Sequence, residues 1–169
     1  MKIQIIGFSG SGKSTLARRL SAFYNIPRLH LDNVHFYGDW QERSQEEMDG
    51  IVRTFLSTHE SWVIDGNYFS VAPERFSRTD LTICLRYPRL YCFLKCFQRY
   101  RKYKGSRRED CPCEEKFDRE FRHWILVDGR AKQRVARQEA ALRASPGEKL
   151  VFRNVRALSR WLKQLGCRN

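Results

Sequence analysis

Residues 7–14 read Gly-Phe-Ser-Gly-Ser-Gly-Lys-Ser, which fits the phosphate-binding pattern G-x-x-x-x-G-K-[ST] at every defined position. The apolar run before it, Lys2 to Ile6, predicts a buried strand, and Ser14 to Tyr24 after it predicts a helix with one apolar face. The pattern requires this order of strand, glycine-rich turn and helix. The stretch therefore predicts an α/β protein of the P-loop NTPase class that binds ATP or GTP.

The predicted P-loop supplies the groups that hold a triphosphate. Its glycines let successive backbone N–H groups point at phosphate oxygens, and the helix N-terminus adds partial positive charge. We expect Lys13 to reach the β- and γ-phosphates as a catalytic group, and the hydroxyl of Ser14 to ligate Mg²⁺. ATP and Mg²⁺ are thus the predicted cofactors. The predicted nucleotide-binding residues are Gly7, Ser9, Gly10, Ser11, Gly12, Lys13, Ser14 and Thr15.

Strand-like and helix-like segments alternate along the rest of the chain. Strands are predicted at Arg28–Leu31, Trp62–Ile64, Leu81–Leu85 and Lys149–Phe152. Helices are predicted from Ser44, which opens a capping box with Glu47, at Arg89–Tyr103, Cys113–Val127 and Arg130–Arg143, and around Leu158–Leu165. This alternation predicts one domain built on a parallel sheet wrapped by helices, with ligands at the carboxyl ends of the strands.

Two aspartates follow predicted strands at that edge of the sheet. Asp65 is placed to hold Mg²⁺ from the side opposite Ser14, as a Walker-B aspartate does; the alternative is a turn aspartate before glycine. Asp32 is placed to accept a proton from an acceptor hydroxyl or to orient magnesium, and its alternative role is a helix cap or Asx turn. His30 and His35 are weaker catalytic candidates.

The net charge of +13 implies an anionic partner, which is a nucleotide, a nucleic acid or a membrane surface. No acidic residue lies between Asp80 and Glu109, but nine basic residues do. Among these, Arg99, Arg107 and Arg108 are the predicted catalytic arginines, because phosphoryl transfer needs cations around the moving group.

Three interpretations of this basic stretch stay open. It is a flexible segment that closes over nucleotide around the turn at Lys104–Ser106, or a nucleic-acid surface, or the solvated face of a packed helix. The second interpretation draws on the aromatic residues between the charges: Tyr91, Phe97, Tyr100 and Tyr103.

Membrane and secreted classes fit the sequence poorly. No apolar run approaches the length of a membrane span, and the N-terminal apolar stretch is too short for a signal peptide, so we expect a cytoplasmic protein with six reduced cysteines. Cys111-Pro-Cys113 has no second cysteine pair at ligand spacing, which disfavours zinc even with His123 nearby.

Four segments together resemble the bacterial "DNA topology modulation" proteins (FlaR-like), small P-loop proteins related to adenylate kinases. They are the P-loop, the strand end with Asp32 and His35, the segment Trp62-Val-Ile-Asp-Gly-Asn-Tyr68, and Glu115-Lys-Phe-Asp118 with Phe121 and Trp124. The resemblance implies a nucleoside monophosphate kinase-like fold with a five-stranded parallel sheet. It also implies a single domain over residues 1–169 with a moving helical lid at about residues 103–128.

The resemblance also frames the expected activity. Asn67-Tyr68-Phe69 stands where adenylate kinases usually carry Phe-Pro-Arg, so an arginine expected to hold an acceptor phosphate is missing. The leading hypothesis is a kinase that moves the γ-phosphate of ATP to a nucleotide, a nucleoside or another small hydroxyl compound. The alternative is an ATP-switched regulatory protein associated with DNA. We expect any DNA binding to be weak and non-specific, because no reader of base edges is present.

Overall fold

The computed structural model describes residues 1–167 of the 169-residue chain. The strands are β1 (Lys2–Gly7), β2 (Arg28–His30), β3 (Phe36–Gly38), β4 (Gln41–Glu42), β5 (Trp62–Asp65), β6 (Leu81–Leu85), β7 (Arg107–Arg108), β8 (Cys111–Glu114) and β9 (Glu148–Phe152). The helices are α1 (Lys13–Tyr24), α2 (Leu31–His35), α3 (Gln45–Thr58), α4 (Glu74–Ser77), α5 (Arg89–Tyr103), α6 (Arg119–Leu126), α7 (Lys132–Ala144) and α8 (Val155–Gln164), with a 3₁₀ turn at Asp128–Arg130.

The central sheet has five parallel strands in the order β2-β5-β1-β6-β9. Its middle strands are buried and mostly apolar, and helices cover both faces of the sheet. Ile5 packs with Leu16 and Leu162 on one face, whereas its neighbour Ile6 packs with Phe76 and Cys84 on the other. The five-stranded parallel sheet wrapped by helices is therefore confirmed, and β1 lies at its centre.

Local capping signals also have their expected roles. Ser44 accepts a hydrogen bond from the backbone N–H of Glu47, and the Glu47 side chain accepts one from the backbone N–H of Ser44. The capping box predicted there is confirmed, and it starts α3, whose buried residues Met48, Val52 and Leu56 pack in the core cluster that contains Trp62. None of the described helices is long and apolar enough to cross a membrane.

Two boundaries differ from the sequence prediction near Asp32. The second strand ends at His30, one residue earlier than expected, and Leu31 begins the short helix α2. Asp32 therefore lies in the first turn of a helix instead of ending a strand. An unpredicted antiparallel hairpin, β3–β4, follows α2 directly.

The predicted helix at Cys113–Val127 is wrong in its first part. Cys111–Glu114 is a strand that pairs antiparallel with Arg107–Arg108, because burial of Cys111 and Cys113 favours an extended backbone there. The helix begins only at Arg119, after Asp118 caps it by accepting a 2.8 Å hydrogen bond from the N–H of Phe121. The region expected to be a helical lid is thus a β-hairpin followed by one short helix.

At the edge of the sheet, the backbone of Gly147 packs directly against the backbone of Asp80. A Cβ atom on Gly147 would lie 2.1 Å from the carbonyl oxygen of Asp80, which also accepts the Glu148 N–H at 2.9 Å. Because backbone atoms cannot give way, we expect Gly147→Ala to lower the free energy of unfolding by about 1–3 kcal/mol in urea-induced unfolding.

Gly50→Ala is the matched control for Gly147→Ala. Gly50 is exposed in α3, and a Cβ atom there meets no heavy atom within 4 Å. This variant should gain roughly 0.5–1 kcal/mol, since alanine favours the helix more than glycine does. A Gly147→Ala protein as stable as the unmodified chain would contradict the packing against Asp80.

Candidate active site

The P-loop connects the carboxyl end of β1 to α1 and lies tightly against α5. A Cβ atom on Gly10 would come 2.4 Å from the backbone oxygen of Cys92 and 2.6 Å from the sulfur of Cys96. Gly10 also has φ +77°, a left-handed conformation that suits glycine. The loop can therefore follow this path against α5 only because no side chain intervenes.

Polar groups inside the loop stabilise its turn. Phe8 O accepts the Ser11 N–H at 3.2 Å and the Ser11 hydroxyl at 2.7 Å. The amine of Lys13 donates to the same oxygen at 3.2 Å, so it lies over the loop where a phosphate would be bound. From the far side, the indole N–H of Trp124 donates to the Ser9 hydroxyl at 3.1 Å.

Asn67 fastens the P-loop to the strand next to it. Its side-chain oxygen accepts the N–H of Gly7 at 3.0 Å, and its amide nitrogen donates to the carbonyl of Gly7 at 2.8 Å. This position stands where the adenylate kinase pattern continues toward an arginine. The sequence pattern indicates only that a cation is missing near this position. The structure shows that the side-chain amide of Asn67 holds the start of the P-loop.

Ser14, in the first turn of α1, lies next to Asp65, at the carboxyl end of β5. The Ser14 hydroxyl donates to Asp65 Oδ2 at 2.9 Å, and the other carboxylate oxygen contacts His30 Nδ1. His30 and Asp65 are both buried, so the imidazole orients the carboxylate. His30 therefore has a supporting position behind Asp65 and does not line the cleft.

A hydroxyl and a carboxylate oxygen at this spacing suit Mg²⁺, which prefers hard oxygen ligands. Among residues 1–167, no group of three or more His, Cys, Asp or Glu side chains is arranged to hold a metal. Mg²⁺ in phosphoryl-transfer sites is usually held by one or two protein ligands together with substrate phosphates.

Asp32 faces the same cleft from the first turn of α2. Its Oδ1 accepts the hydroxyl of Tyr68 at 2.9 Å. Burial, and after it the charge of Asp32, raises the pKa of Tyr68 well above its usual range, so the phenol stays protonated and keeps donating. Among the described residues, no lysine or arginine forms an ion pair with Asp32.

The three predicted arginines line one cleft, but their surroundings differ. Arg108 is largely buried and pairs with both Asp110, at 2.7 Å, and Glu115. Arg99 pairs with the same Glu115 at 3.0 Å. Arg107 is exposed and pairs with Asp39 at 2.9 Å. Arg99 and Arg108 are therefore held in place by a buried carboxylate, and Arg107 is not.

Asp110 is a buried acid that the sequence analysis missed. Burial raises its pKa, but the positive charge of Arg108 outweighs this and leaves the pKa below its usual value. It therefore stays ionised beside the predicted metal ligands. Only the hairpin β7–β8, which the sequence did not predict, brings Asp110 to this place.

Arg75 supports the segment between Asp65 and α4 from beneath. It is fully buried, and it donates to Tyr68 O at 2.9 Å and to Gln4 Oε1 at 3.1 Å, as well as to Val71 O. Burial lowers its pKa to about 10, which still leaves it charged at neutral pH. The loop that carries Asn67 and Tyr68 is thus tied to the β1 side chain Gln4.

Many of these groups line a single cleft of about 1950 Å³, among them Lys13, Ser14, Asn67 and Asp110. It brings together the predicted nucleotide set from Ser9 to Thr15 with Asp32, His35 and the three arginines. Gly7 and Asp65 are not part of its lining. The predicted residues therefore form one site at the carboxyl edge of the sheet.

Several aromatic residues of α5 are used for internal packing. Phe97 and Tyr100 lie 5.4 and 6.0 Å from the ring of Phe117, and Tyr91 lies 5.3 Å from Tyr87. Bases of a nucleic acid would stack on aromatic faces that are open. Leu90, Leu94 and Phe97 are nevertheless exposed, which contradicts the expectation that they belong to the core, so these contacts leave the interpretations of the basic stretch open.

Comparison with solved structures supports the fold. The chain resembles shikimate kinase from Acinetobacter baumannii in complex with shikimate, with TM-score 0.56 and 15% identity over 97% of this chain and 91% of that chain. It also resembles a candidate kinase from Chloroflexus aurantiacus, with TM-score 0.55 and 15% identity over 96% and 97%. An uncharacterised protein from Eubacterium ventriosum gives TM-score 0.53 and 18% identity over 99% and 100%. The chain therefore has a kinase-like P-loop fold.

Sequence comparison adds no family to this result. No protein-family model matches the chain, and no curated protein is significantly similar to it. The resemblance to DNA topology modulation proteins therefore stays a sequence-based prediction.

The Asn67 clamp can be tested without any ligand. Asn67→Ala removes both hydrogen bonds to Gly7, which are worth about 1–3 kcal/mol together. We expect the Gly7 amide to exchange with solvent roughly 5- to 150-fold faster in NMR measurements, because local opening becomes easier. Asn67→Asp keeps the acceptor and loses the donor, so its effect should be intermediate. Unchanged exchange at Gly7 in Asn67→Ala would refute the clamp; the Ile5 amide within β1 serves as internal reference.

Proposed function

We propose that the protein is a phosphotransferase that moves the γ-phosphate of ATP, or of GTP, to the hydroxyl of a small acceptor. The observation that carries the proposal is the cleft itself. In it, the P-loop with Lys13 and Ser14 shares one space with Asp32 and the buried Arg108, and Asp65 contacts this space through its hydrogen bond with Ser14. This arrangement contains a triphosphate cradle, a carboxylate for the acceptor and a cation for the moving phosphoryl group.

The triphosphate would bind along the P-loop. Backbone N–H groups and the α1 N-terminus would hold its phosphate oxygens, and Lys13 would exchange its bond to Phe8 O for the β- and γ-phosphates. Ser14 and Asp65 are the residues that would hold Mg²⁺, with Asp110 close to the same hydroxyl. The ion, when bound, neutralises charge on the β- and γ-phosphate oxygens.

Asp32 would act on the acceptor. The acceptor O–H bond breaks and its proton passes to the Asp32 carboxylate, while the oxygen forms a bond to the γ-phosphorus. The bond from that phosphorus to the bridging β,γ-oxygen breaks, and the nucleoside diphosphate leaves with the electron pair. The Tyr68 hydroxyl holds the carboxylate in one orientation during this step.

The segment from Tyr103 to Asp128 would close over the bound nucleotide. It includes the hairpin β7–β8, and it carries Arg108 and Asp110 at the cleft. Gly105, with φ +73° and no heavy atom within 4 Å of an added Cβ, offers a hinge before the hairpin. Closure would bring the cations of this segment onto the triphosphate.

Lys13→Ala tests the nucleotide site directly. The lysine supplies a charge-assisted contact to phosphate that is worth about 1.5–3 kcal/mol or more. We therefore expect ATP–Mg²⁺ affinity, measured by calorimetry, to fall roughly 10- to 150-fold. Lys163→Ala, an exposed change in α8, removes the same charge elsewhere and should leave affinity unchanged. Equal affinity of the Lys13→Ala protein and the unmodified chain would sink the P-loop assignment.

Asp32→Asn tests the transfer step. Asparagine keeps the shape but cannot take the proton, so turnover with a substrate alcohol should fall by about 10²–10⁴-fold while ATP affinity is kept. The assay measures nucleoside diphosphate release with a panel of neutral, anionic and cationic alcohols. Tyr68→Phe is the matched control, because it removes the bond to Asp32 but leaves the carboxylate; its loss should be smaller. Full turnover by Asp32→Asn would contradict the role of Asp32 as the base and leave it a structural role in the first turn of α2.

A further inference from the structure

The acceptor wall is the surface of the cleft where Asp32 is followed by a row of four aromatic side chains. We define it as Asp32, Tyr68, His35, Phe36 and Trp40, all of which line the cleft. The Tyr68 ring, whose hydroxyl bonds Asp32, lies 4.7 Å from the His35 ring. The ring of His35 lies 4.4 Å from that of Phe36, which is 5.2 Å from that of Trp40. An unbroken aromatic surface thus leads away from the proposed base.

Trp40 is held on this wall by an unusual turn. Asp39 and Trp40, between β3 and β4, have φ values of 48° and 63°, although neither is glycine. The backbone N–H of Trp40 donates to the sulfur of Cys113 at 3.2 Å, which ties the turn to the hairpin β7–β8. Such strained positions persist only where the surroundings enforce them, and they cluster at ligand sites.

An ammonium group of the protein already lies on the wall. The Nζ atom of Lys116 is 4.6 Å from the centroid of the Trp40 ring, within the range of a cation–π interaction. Lys116 is exposed and reaches the ring on a flexible stem, so a ligand can displace it. The indole face therefore accepts a cation in the protein's own structure.

The chain around the wall is acidic within a strongly basic protein. Residues 29–52 contain six acidic side chains and one basic one, although the whole chain carries +13. The basic one, Arg43, donates from one guanidinium nitrogen to the carbonyls of Asn33, Val34 and Phe36 at 3.0, 2.9 and 2.8 Å. It therefore serves the backbone of α2 and β3, and it does not line the cleft.

The other arginines at this end are matched by carboxylates. Arg108 has two partners, Asp110 and Glu115, and Arg107 has Asp39. Asp32 itself has no cationic partner among residues 1–167. A phosphate or carboxylate on the acceptor would lie beside the negative charge of Asp32, whereas a cation would meet both this negative charge and aromatic faces.

We propose that the acceptor is an alcohol that also carries an ammonium group. Its hydroxyl would lie at Asp32 and its ammonium group against Phe36 and Trp40, in the place that Lys116 Nζ takes. The proposal rests on the phosphotransferase function above and names the substrate class of that same site. The bonds that form and break are those described above for phosphoryl transfer to the acceptor hydroxyl. The ammonium group takes no part in these bond changes.

Two matched sets of alcohols test the charge preference. Choline is compared with its neutral isostere 3,3-dimethylbutan-1-ol, and glucosamine with glucose and glucuronate, in calorimetric titrations of protein saturated with Mg²⁺ and a non-hydrolysable ATP analogue. We expect the cation of at least one set to bind roughly 3- to 30-fold more tightly than its neutral partner, and glucuronate to bind most weakly. Equal binding within both sets, tighter binding of glucuronate, or no heat from either cation would overturn the proposal.

Variants of Lys116 and Trp40 test whether the wall itself selects the cation. The readout is the ratio of cation to neutral-alcohol affinity, which a purely structural role of these residues would not change. Lys116→Gln frees the Trp40 face, so the preferred cation should bind roughly 2- to 5-fold more tightly, without change for its neutral partner. Trp40→Leu should abolish the preference, and Trp40→Phe should keep most of it. A preference that survives Trp40→Leu, or falls in Lys116→Gln, would overturn the role of the wall.

The phosphotransferase function and the preference for an ammonium-bearing acceptor can fail independently of each other. ATP–Mg²⁺ binding and nucleoside diphosphate release are measured on the same protein. Transfer to neutral alcohols without preference for the cation would overturn the substrate class alone. If the protein binds the cation selectively but binds no nucleotide, the phosphotransferase proposal is overturned. Phosphoryl transfer to the ammonium-bearing alcohol is then overturned as well.

Discussion

The close approach of the P-loop to its neighbours is the constraint on which the site depends. An added Cβ would lie 2.4 Å from the oxygen of Leu85 at Gly7 and 2.4 Å from that of Cys92 at Gly10. Strand β6 and the first turns of α5 therefore fix the path of the loop. Because α5 continues from this contact to Arg99, the helix that shapes the triphosphate cradle also positions a cation at the cleft.

The segment formed by the end of β5 and the loop after it couples the two halves of the proposed reaction. Within a few residues it supplies Asp65 to the Ser14 hydroxyl, Asn67 to the P-loop and Tyr68 to Asp32. The buried guanidinium of Arg75 holds this segment from below and links it to β1. A displacement of the segment would therefore disturb the nucleotide side and the acceptor side together.

Prediction from the sequence succeeded where short-range pattern determines structure. The strand and helix that flank the P-loop, the five apolar strands and the Ser44–Glu47 capping box are local signals, and all are confirmed. The hairpin at Cys111–Glu114 was missed because its stability depends on long-range burial of two cysteines. Asp110 was missed for the same reason, and the role of Asn67 could not be predicted because its partner lies sixty residues away.

The separation of charge along the chain has a consequence for the electric field of the whole molecule. The nine basic residues between Asp80 and Glu109 and the acidic stretch at residues 29–52 make the charge uneven along the chain, in addition to its net excess. The two sets meet at the Arg107–Asp39 ion pair, so the field changes sign over a short distance there. In the field of an extended polyanion, the energy of a protein with uneven charge depends on its orientation before contact. Adsorption on a polyanionic surface is consequently a matter of orientation as much as of attraction.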